Sequence, residues 1–214
     1  MKLIKLCGFK TSCRAFMAAK SGADFIGIVN CVHSCRYVEK KQARDIACAS
    51  RKGGAKPVLV FDDHNVHDML ELIKYTKSSV IQLHGDISRS SHVHLPKDII
   101  RIFSIPINKD GSIPKTVVNQ MSSLDNQRDY LLFDSIDPGS GQLVNYGCIE
   151  KVYGRFKFFI AGGLSCSNVS GLIKSYNPFG VDVSSGIEHV RGEKSMDLIL
   201  KMIEKVKGKC YVSN

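Results

Sequence analysis

The sequence has no tryptophan, only 6 prolines in 214 residues, and no apolar run near the ~18 residues that would span a bilayer. The missing indole removes a strong stacking surface for nucleic-acid bases, and no recognised nucleic-acid motif takes its place. No Pro/Ser/Gly-rich linker divides the chain, so one domain over residues 1–214 is expected. Acidic residues are in deficit, 20 Asp and Glu against 30 Lys and Arg, for a formal charge of +10, most of it in the N-terminal half. Without a nucleic-acid motif, that excess points to a small anionic ligand or to a solvated face. Lys2, Lys5 and Lys10 surround too few apolar residues for a signal peptide. These absences together predict a cytoplasmic protein with neither a membrane nor a nucleic-acid partner. The 8 cysteines do not cluster as a disulfide framework, and Cys48, Cys148 and Cys210 fall in ordinary structural stretches. A chain that is 43% hydrophobic builds a core without cross-links, so reduced thiols are expected, one of them functional.

What is present is alternation. Short β-branched runs fall at 3–7, 24–29, 57–61, 80–84, 99–105, 130–134, 157–161 and 180–184. Amphipathic segments separate them at 13–20, 40–50, 66–75, 115–124 and 167–175, and 197–207 closes the series. Apolar strands alternating with helices mean a parallel sheet covered by helices. Eight repeats favour an α/β protein whose single domain is a (β/α)8 (TIM) barrel; an open doubly wound sheet is the alternative. Ser88, Ser90 and Ser91 oppose helix, so the segment at 86–94 should be short.

Reactive side chains gather at the C-terminal ends of these runs, where barrels of this kind carry their sites. The ends read Cys7-Gly8, His84-Gly85-Asp86, Asp134-Ser135, Gly162-Gly163 and Ser184-Ser185-Gly186. Residues i and i+2 share a strand face, so Cys7 brings Lys5, His84 brings Gln82 and Ser184 brings Asp182. Closure would set the first and last strands side by side, letting Lys5 meet Asp182 inside. The glycine-bearing turns after strands 7 and 8 suit a phosphate cup of backbone N–H groups, with a short helix near Ile187 aimed at it.

In order along the chain, KLCGFK (5–10), GADFIGIV (22–29), SCRYV (34–38), IQLHGD (81–86), LLFDS (131–135), GSG (139–141), FIAGGLSCSNV (159–169) and GVDVSSGIE (180–188) resemble the motifs of the phosphoribosylanthranilate isomerases of tryptophan biosynthesis. The resemblance implies Cys7 as general base and Asp134 as general acid. It implies Arg36 on the anthranilate moiety and Gln82 and His84 in the strand-4 pocket. Gly162, Gly163, Ser184, Ser185 and Gly186 would form the phosphate site, and Asp182 would bind substrate. Three positions depart from the family pattern: Cys35 replaces a common proline, Asn30 an aromatic, and Asn145-Tyr146 an Asp-Trp pair.

The implied reaction is an Amadori rearrangement of N-(5'-phosphoribosyl)anthranilate. An acid opens the furanose ring, a base takes the C2 proton, and the anthranilate nitrogen serves as electron sink, so no metal or organic cofactor is expected. A thiol must ionise to act as base, which Lys5 or Arg36 would assist, and an activity limb at low pH should then depend on Cys7. A carboxyl must stay protonated to act as acid, which burial would assist. The expected partner is a small substrate bearing phosphate and carboxylate, and the expected assembly is a monomer or homodimer. The rivals are another sugar-phosphate barrel, a catalytically dead barrel kept for binding, and a metal module built on Cys31, His33 and Cys35 or on His92 and His94. An epimerase would need inward His and Asp metal ligands, and an indole-glycerol-phosphate synthase a Lys–Glu set at strand ends.

Overall fold

Alternation along each strand decides which side chains fill the barrel and which face its helices. The computed structural model describes residues 1–135, 146–149, 154 and 156–208. Eight parallel strands close on themselves: β1 (Leu3–Cys7), β2 (Phe25–Val29), β3 (Lys56–Phe61), β4 (Val80–Leu83), β5 (Ile100–Ile107), β6 (Tyr130–Ser135), β7 (Lys157–Ile160) and β8 (Gly180–Val183). The seam pairs β1 with β8, with Lys5 opposite Asp182. The expected closed barrel is therefore what forms, and the open sheet is excluded.

One parity of side chains, Ile4, Leu6, Ile26, Ile28, Leu59, Phe61, Phe103 and Phe133 among them, joins the helices in the larger core cluster. The other parity points inward. At its base lie Phe25, Val58, Val80, Ile102, Leu132 and Phe159. Two residues further along the same strands come Gly27, Val60, Gln82, Ser104, Asp134 and Ala161. The barrel interior thus turns from apolar to polar toward its C-terminal rim.

The described helices α1 (Ser12–Lys20), α2 (Lys40–Lys52), α3 (Val66–Thr76), α4 (Asp86–Ser90), α5 (Lys115–Gln120), α6 (Val169–Tyr176) and α7 (Met196–Lys207) cover the outside. α2 buries Ala43, Ile46, Ala47 and Ser50, and α7 buries Ile199, Met202, Ile203 and Val206, both at i, i+3, i+4, i+7. Ser195 caps α7 by accepting the Leu198 N–H, and Asn65 caps α3 through Asp68. α4 is short, as expected: the Ser90 and Ser91 hydroxyls bond back to the Ile87 carbonyl and compete for the helix's own acceptors. A 3-10 turn, Ser91–His94, completes that segment.

One expectation fails. No helix starts near Ile187; a 3-10 turn, Ser185–Ile187, ends there. The chain then runs extended as β9 (Glu188–Val190), turns at 191–192, and returns as β10 (Glu193–Lys194). The cause is Glu188, whose carboxylate is drawn to Arg36 and Lys194, and helix waits for the Ser195 cap.

Candidate active site

Strand ends meet loops at a cavity of about 320 Å³ on the C-terminal rim. Cys7, Arg36, Gln82, His84, Asp134, Gly162, Gly163, Asp182, Ser184 and Ser185 all line it. Gly186 lies behind it: a Cβ there would stand 1.8 Å from the Leu164 carbonyl oxygen, so only glycine lets the two turns after β7 and β8 nest together. The glycine-serine loop at 139–141, Asn145 and Cys210 fall outside the described residues.

Cys7 ends β1 with 7% exposure. Its neighbour across the sheet is Gly27, where a Cβ would sit 2.5 Å from the Cys7 sulfur, so the bare glycine makes room for the thiol. Burial pushes the thiol above its ordinary value; Lys5 and Lys194 pull it down and Asp182 pushes it up. Lys5 thus lowers the Cys7 pKa, as expected, but desolvation is the larger effect and the net shift is upward. Lys5 is fully buried, and its ammonium donates to Asp182 Oδ2 at 2.8 Å. Burial alone would lower its pKa, but Asp182 and Cys7 raise it, so it stays charged.

Asp134 faces the same space from β6. Its Oδ1 accepts the Ser135 N–H at 2.8 Å. Burial, reinforced by Asp182, pushes its carboxyl up to about 7 against the opposing pull of that N–H and of Lys5. His84 is pushed down by burial and is a neutral imidazole at neutral pH. Gln82 donates to the Ser104 hydroxyl at 3.1 Å. Three buried atoms of this wall have no partner among the described residues: Gln82 Oε1, His84 Nδ1 and Asp182 Oδ1. Buried polar atoms are seldom left so, and three converging on one cavity mark a place for a polar ligand.

The rim is held by an ion cluster that sequence reading missed. Arg36 donates through Nε and Nη2 to the two carboxylate oxygens of Glu188, at 2.6 and 2.7 Å. Lys194 donates to the same carboxylate at 2.7 Å and to the Ser184 carbonyl at 3.0 Å. Burial alone would raise Glu188, but these bonds hold its carboxyl down at about 2. Ser184 spends its hydroxyl on the Cys7 carbonyl, 3.2 Å away, which ties β8 to the end of β1.

Gly162 and Gly163 both take positive φ, 86° and 66°, and turn the chain sharply after β7. Asn168 pins this loop by donating to the Gly163 carbonyl and accepting from Ser165 N–H. Tyr146 supports it from below, its hydroxyl donating to the Ala161 carbonyl and, at 3.3 Å, to that of Gly162. Asn30 is tied to His64 at 3.1 Å. Cys31 lines the cavity with its thiol pushed up to about 12 by burial.

The proposed metal ligands do not assemble. Both ring nitrogens of His92 are engaged, with the Arg89 carbonyl and the Ser123 hydroxyl. Among the described residues no three His, Cys, Asp or Glu side chains are placed to hold an ion.

The family described as N-(5'phosphoribosyl)anthranilate (PRA) isomerase matches residues 4–205. N-(5'-phosphoribosyl)anthranilate isomerase 1, chloroplastic, from Arabidopsis thaliana is 34% identical over 98% of this chain and 76% of its own length. The N-(5'-phosphoribosyl)anthranilate isomerase of Streptococcus mutans is 35% identical over 97% of this chain and 100% of its own. Among solved structures, phosphoribosyl anthranilate isomerase in complex with reduced 1-(o-carboxyphenylamino)-1-deoxyribulose 5-phosphate superposes with a TM-score of 0.81. It has 27% identity and covers 98% of this chain and 100% of that one.

Proposed function

The chain belongs to the N-(5'-phosphoribosyl)anthranilate isomerase family, and on that footing we propose a division of labour in its cavity, with Cys7 as general base and Asp134 as general acid. The protein is an isomerase that converts N-(5'-phosphoribosyl)anthranilate into 1-(2-carboxyphenylamino)-1-deoxyribulose 5-phosphate, a step of tryptophan biosynthesis. In our reading Asp134 protonates the furanose ring oxygen and the ring opens to a Schiff base. Cys7 then takes the C2 proton, leaving an enolamine. A proton adds at C1 as the C2 hydroxyl gives up its own, and the ketone results. Only protons move, because the anthranilate nitrogen accepts the electron pair.

The remaining residues bind. Sugar hydroxyls would satisfy Gln82 Oε1, His84 Nδ1 and Asp182 Oδ1, which have no partner among the described residues. Backbone N–H groups of the turns at Gly162-Gly163 and Ser184-Ser185-Gly186 would receive the phosphate. Arg36 would meet the anthranilate carboxylate through Nη1, the nitrogen outside its pairing with Glu188. No described helix is long and apolar enough to cross a membrane. We keep a cytoplasmic location and a monomer or homodimer as part of this reading.

The observation that carries the assignment is that a thiol and a carboxyl at about 7 face one cavity. The test is turnover of freshly made substrate, followed by loss of anthranilate-type fluorescence. Cys7→Ser and Asp134→Asn should each cost ~10²–10⁴ in rate while binding persists. Either variant keeping wild-type turnover, with chemistry rate-limiting, removes that residue from the role.

A further inference from the structure

The substrate carries two anions at opposite ends, a phosphate and an aromatic carboxylate. The turns after β7 and β8 suit the phosphate, so the carboxylate needs cations elsewhere on the rim. Arg36 is there, but its fork is taken. Two of its nitrogens grip Glu188 at 2.6 and 2.7 Å, and Glu188 is ionised and also holds Lys194. If Arg36 swung away to grip a ligand, a carboxylate with 4% side-chain exposure would lose its main partner. Arg36 therefore offers a carboxylate a single edge rather than a bidentate fork.

Arg191 supplies what is missing. It stands at the turn between β9 and β10, is exposed, and lines the cavity. Its guanidinium has no ion pair or hydrogen-bond partner among the described residues. The turn is not loose. Glu188 on one leg and Lys194 on the other are bonded to each other, and Lys194 is bonded on to the Ser184 carbonyl. The next residue, Gly192, packs against the Cys35 carbonyl, where a Cβ would stand at 3.3 Å, so the tip rests on the loop that carries Arg36. A fixed turn thus holds an unpaired guanidinium on the same cavity as the one free edge of Arg36.

We propose that Arg191 is a specificity-determining residue that binds the carboxylate of the substrate's anthranilate ring together with Arg36. This rests on the reading of the cavity given above. A guanidinium matches a planar carboxylate with two parallel N–H donors, and at a solvent-open rim its contribution should weaken as salt rises.

The experiment uses the whole chain and three probes: the reduced product analogue 1-(o-carboxyphenylamino)-1-deoxyribulose 5-phosphate in its reduced form, the same compound without the carboxyl group, and inorganic phosphate. Binding is measured by calorimetry for the native protein, Arg191→Gln and Arg191→Lys at low and high salt. Arg191→Gln should weaken the carboxylated analogue about tenfold, the scale of one charge-assisted hydrogen bond, with the loss shrinking at high salt. The decarboxylated analogue and phosphate should bind both proteins alike, and Arg191→Lys should recover part of the loss. Equal losses for all three probes would place Arg191 on the phosphate or in the hairpin's folding and overturn the proposal. Unchanged binding of every probe would overturn it too. A native protein that turns over substrate and binds the carboxylated analogue while Arg191→Gln matches it fails this proposal alone. A native protein that does neither fails the reading of the cavity.

Discussion

Lys5 and Asp182 meet at 2.8 Å across the seam where β1 closes on β8, and no part of the lysine is exposed. Barrel closure, not sequence proximity, makes the pair. The ammonium also reaches toward Cys7, two residues on along the same strand face, and offsets part of the cost of a buried thiolate. One cation thus serves two groups that would each be unfavourable inside a barrel without it.

Lys5→Met keeps the side-chain volume and removes that charge. Asp182 would be left a buried, unpaired carboxylate, at a cost of ~3–5 kcal/mol in unfolding free energy. Cys7 would lose its opposing charge, so the alkaline limb of its pH profile should move upward and turnover at pH 8 should drop. Urea unfolding and a kcat/KM–pH series check both parts. Adding Asp182→Leu should restore stability without restoring activity. An unmoved alkaline limb in Lys5→Met would break the link to Cys7.

The two proposed catalytic groups titrate in an unusual order. Burial sets the Cys7 thiol above its ordinary value, while Asp134 sits at about 7. The productive form, thiolate with protonated carboxyl, has as many protons as the majority form, thiol with carboxylate. Its share is small but constant between the two pKa values, and it declines outside them. kcat/KM should therefore rise through about pH 7 and fall only above the usual thiol range of ~8.5. The low-pH limb takes its midpoint from Asp134 and its slope from the Cys7 thiolate fraction, so it should also vanish or move when Cys7 is replaced, as expected from the sequence. In the residual activity of Asp134→Asn the break near 7 should vanish, and activity should go on climbing with the thiolate fraction into the thiol range. A break near 7 that survives the substitution would show that Asp134 is not its source.

The parts of this picture that were legible in the sequence follow periodicities. Strand parity placed Lys5 with Cys7, Gln82 with His84 and Asp182 with Ser184, and circular closure added Lys5 to Asp182. What was not legible depends on distance along the chain and on burial. Arg36 and Glu188 are 152 residues apart. Glu188 closes the motif 180–188, yet nothing in its spacing says that it would occupy the fork expected to meet substrate. The same pairing draws 188–190 into an extended strand where a helix was expected. The net direction of the Cys7 shift was beyond reach for a related reason: neighbouring cations can be read from parity, but the depth of burial that outweighs them is a property of the closed barrel.

The Glu188 cluster should also be measurable in stability. Glu188→Ala leaves Arg36 and Lys194, with 9% and 2% side-chain exposure, without their shared counter-ion. A loss of ~3 kcal/mol is expected in urea unfolding. kcat/KM should fall as well, because the hairpin and the β2–α2 loop are joined through that carboxylate. Arg36→Lys, which keeps the charge but not the fork, should lose less stability than Glu188→Ala. Wild-type stability in Glu188→Ala would mean that the cluster does not hold the rim.

Asp134→Asn should separate activity from stability. An unfolded chain gives up the Asp134 proton near ~3.9, the folded one near 7. Between those values the folded state holds the extra proton, so stability falls as pH rises through the window, and the full cost is present above it. About three pKa units at ~1.36 kcal/mol each set an upper scale of ~4 kcal/mol. The carboxyl opens onto the cavity, where solvent screens it, and ~2–3 kcal/mol is the better expectation. Asparagine keeps the shape and removes the ionisation. The variant should therefore lose turnover yet unfold at higher urea than the native protein at pH 8, and its advantage should shrink toward pH 5. Cys7→Ser should show no such gain over that range, since a thiol held above its ordinary value is protonated in both states there. Matched urea series at pH 5 and pH 8 decide the matter. An Asp134→Asn advantage that stays constant with pH, or is absent at pH 8, would mean that this carboxyl is already ionised in the folded protein and is not poised to deliver a proton.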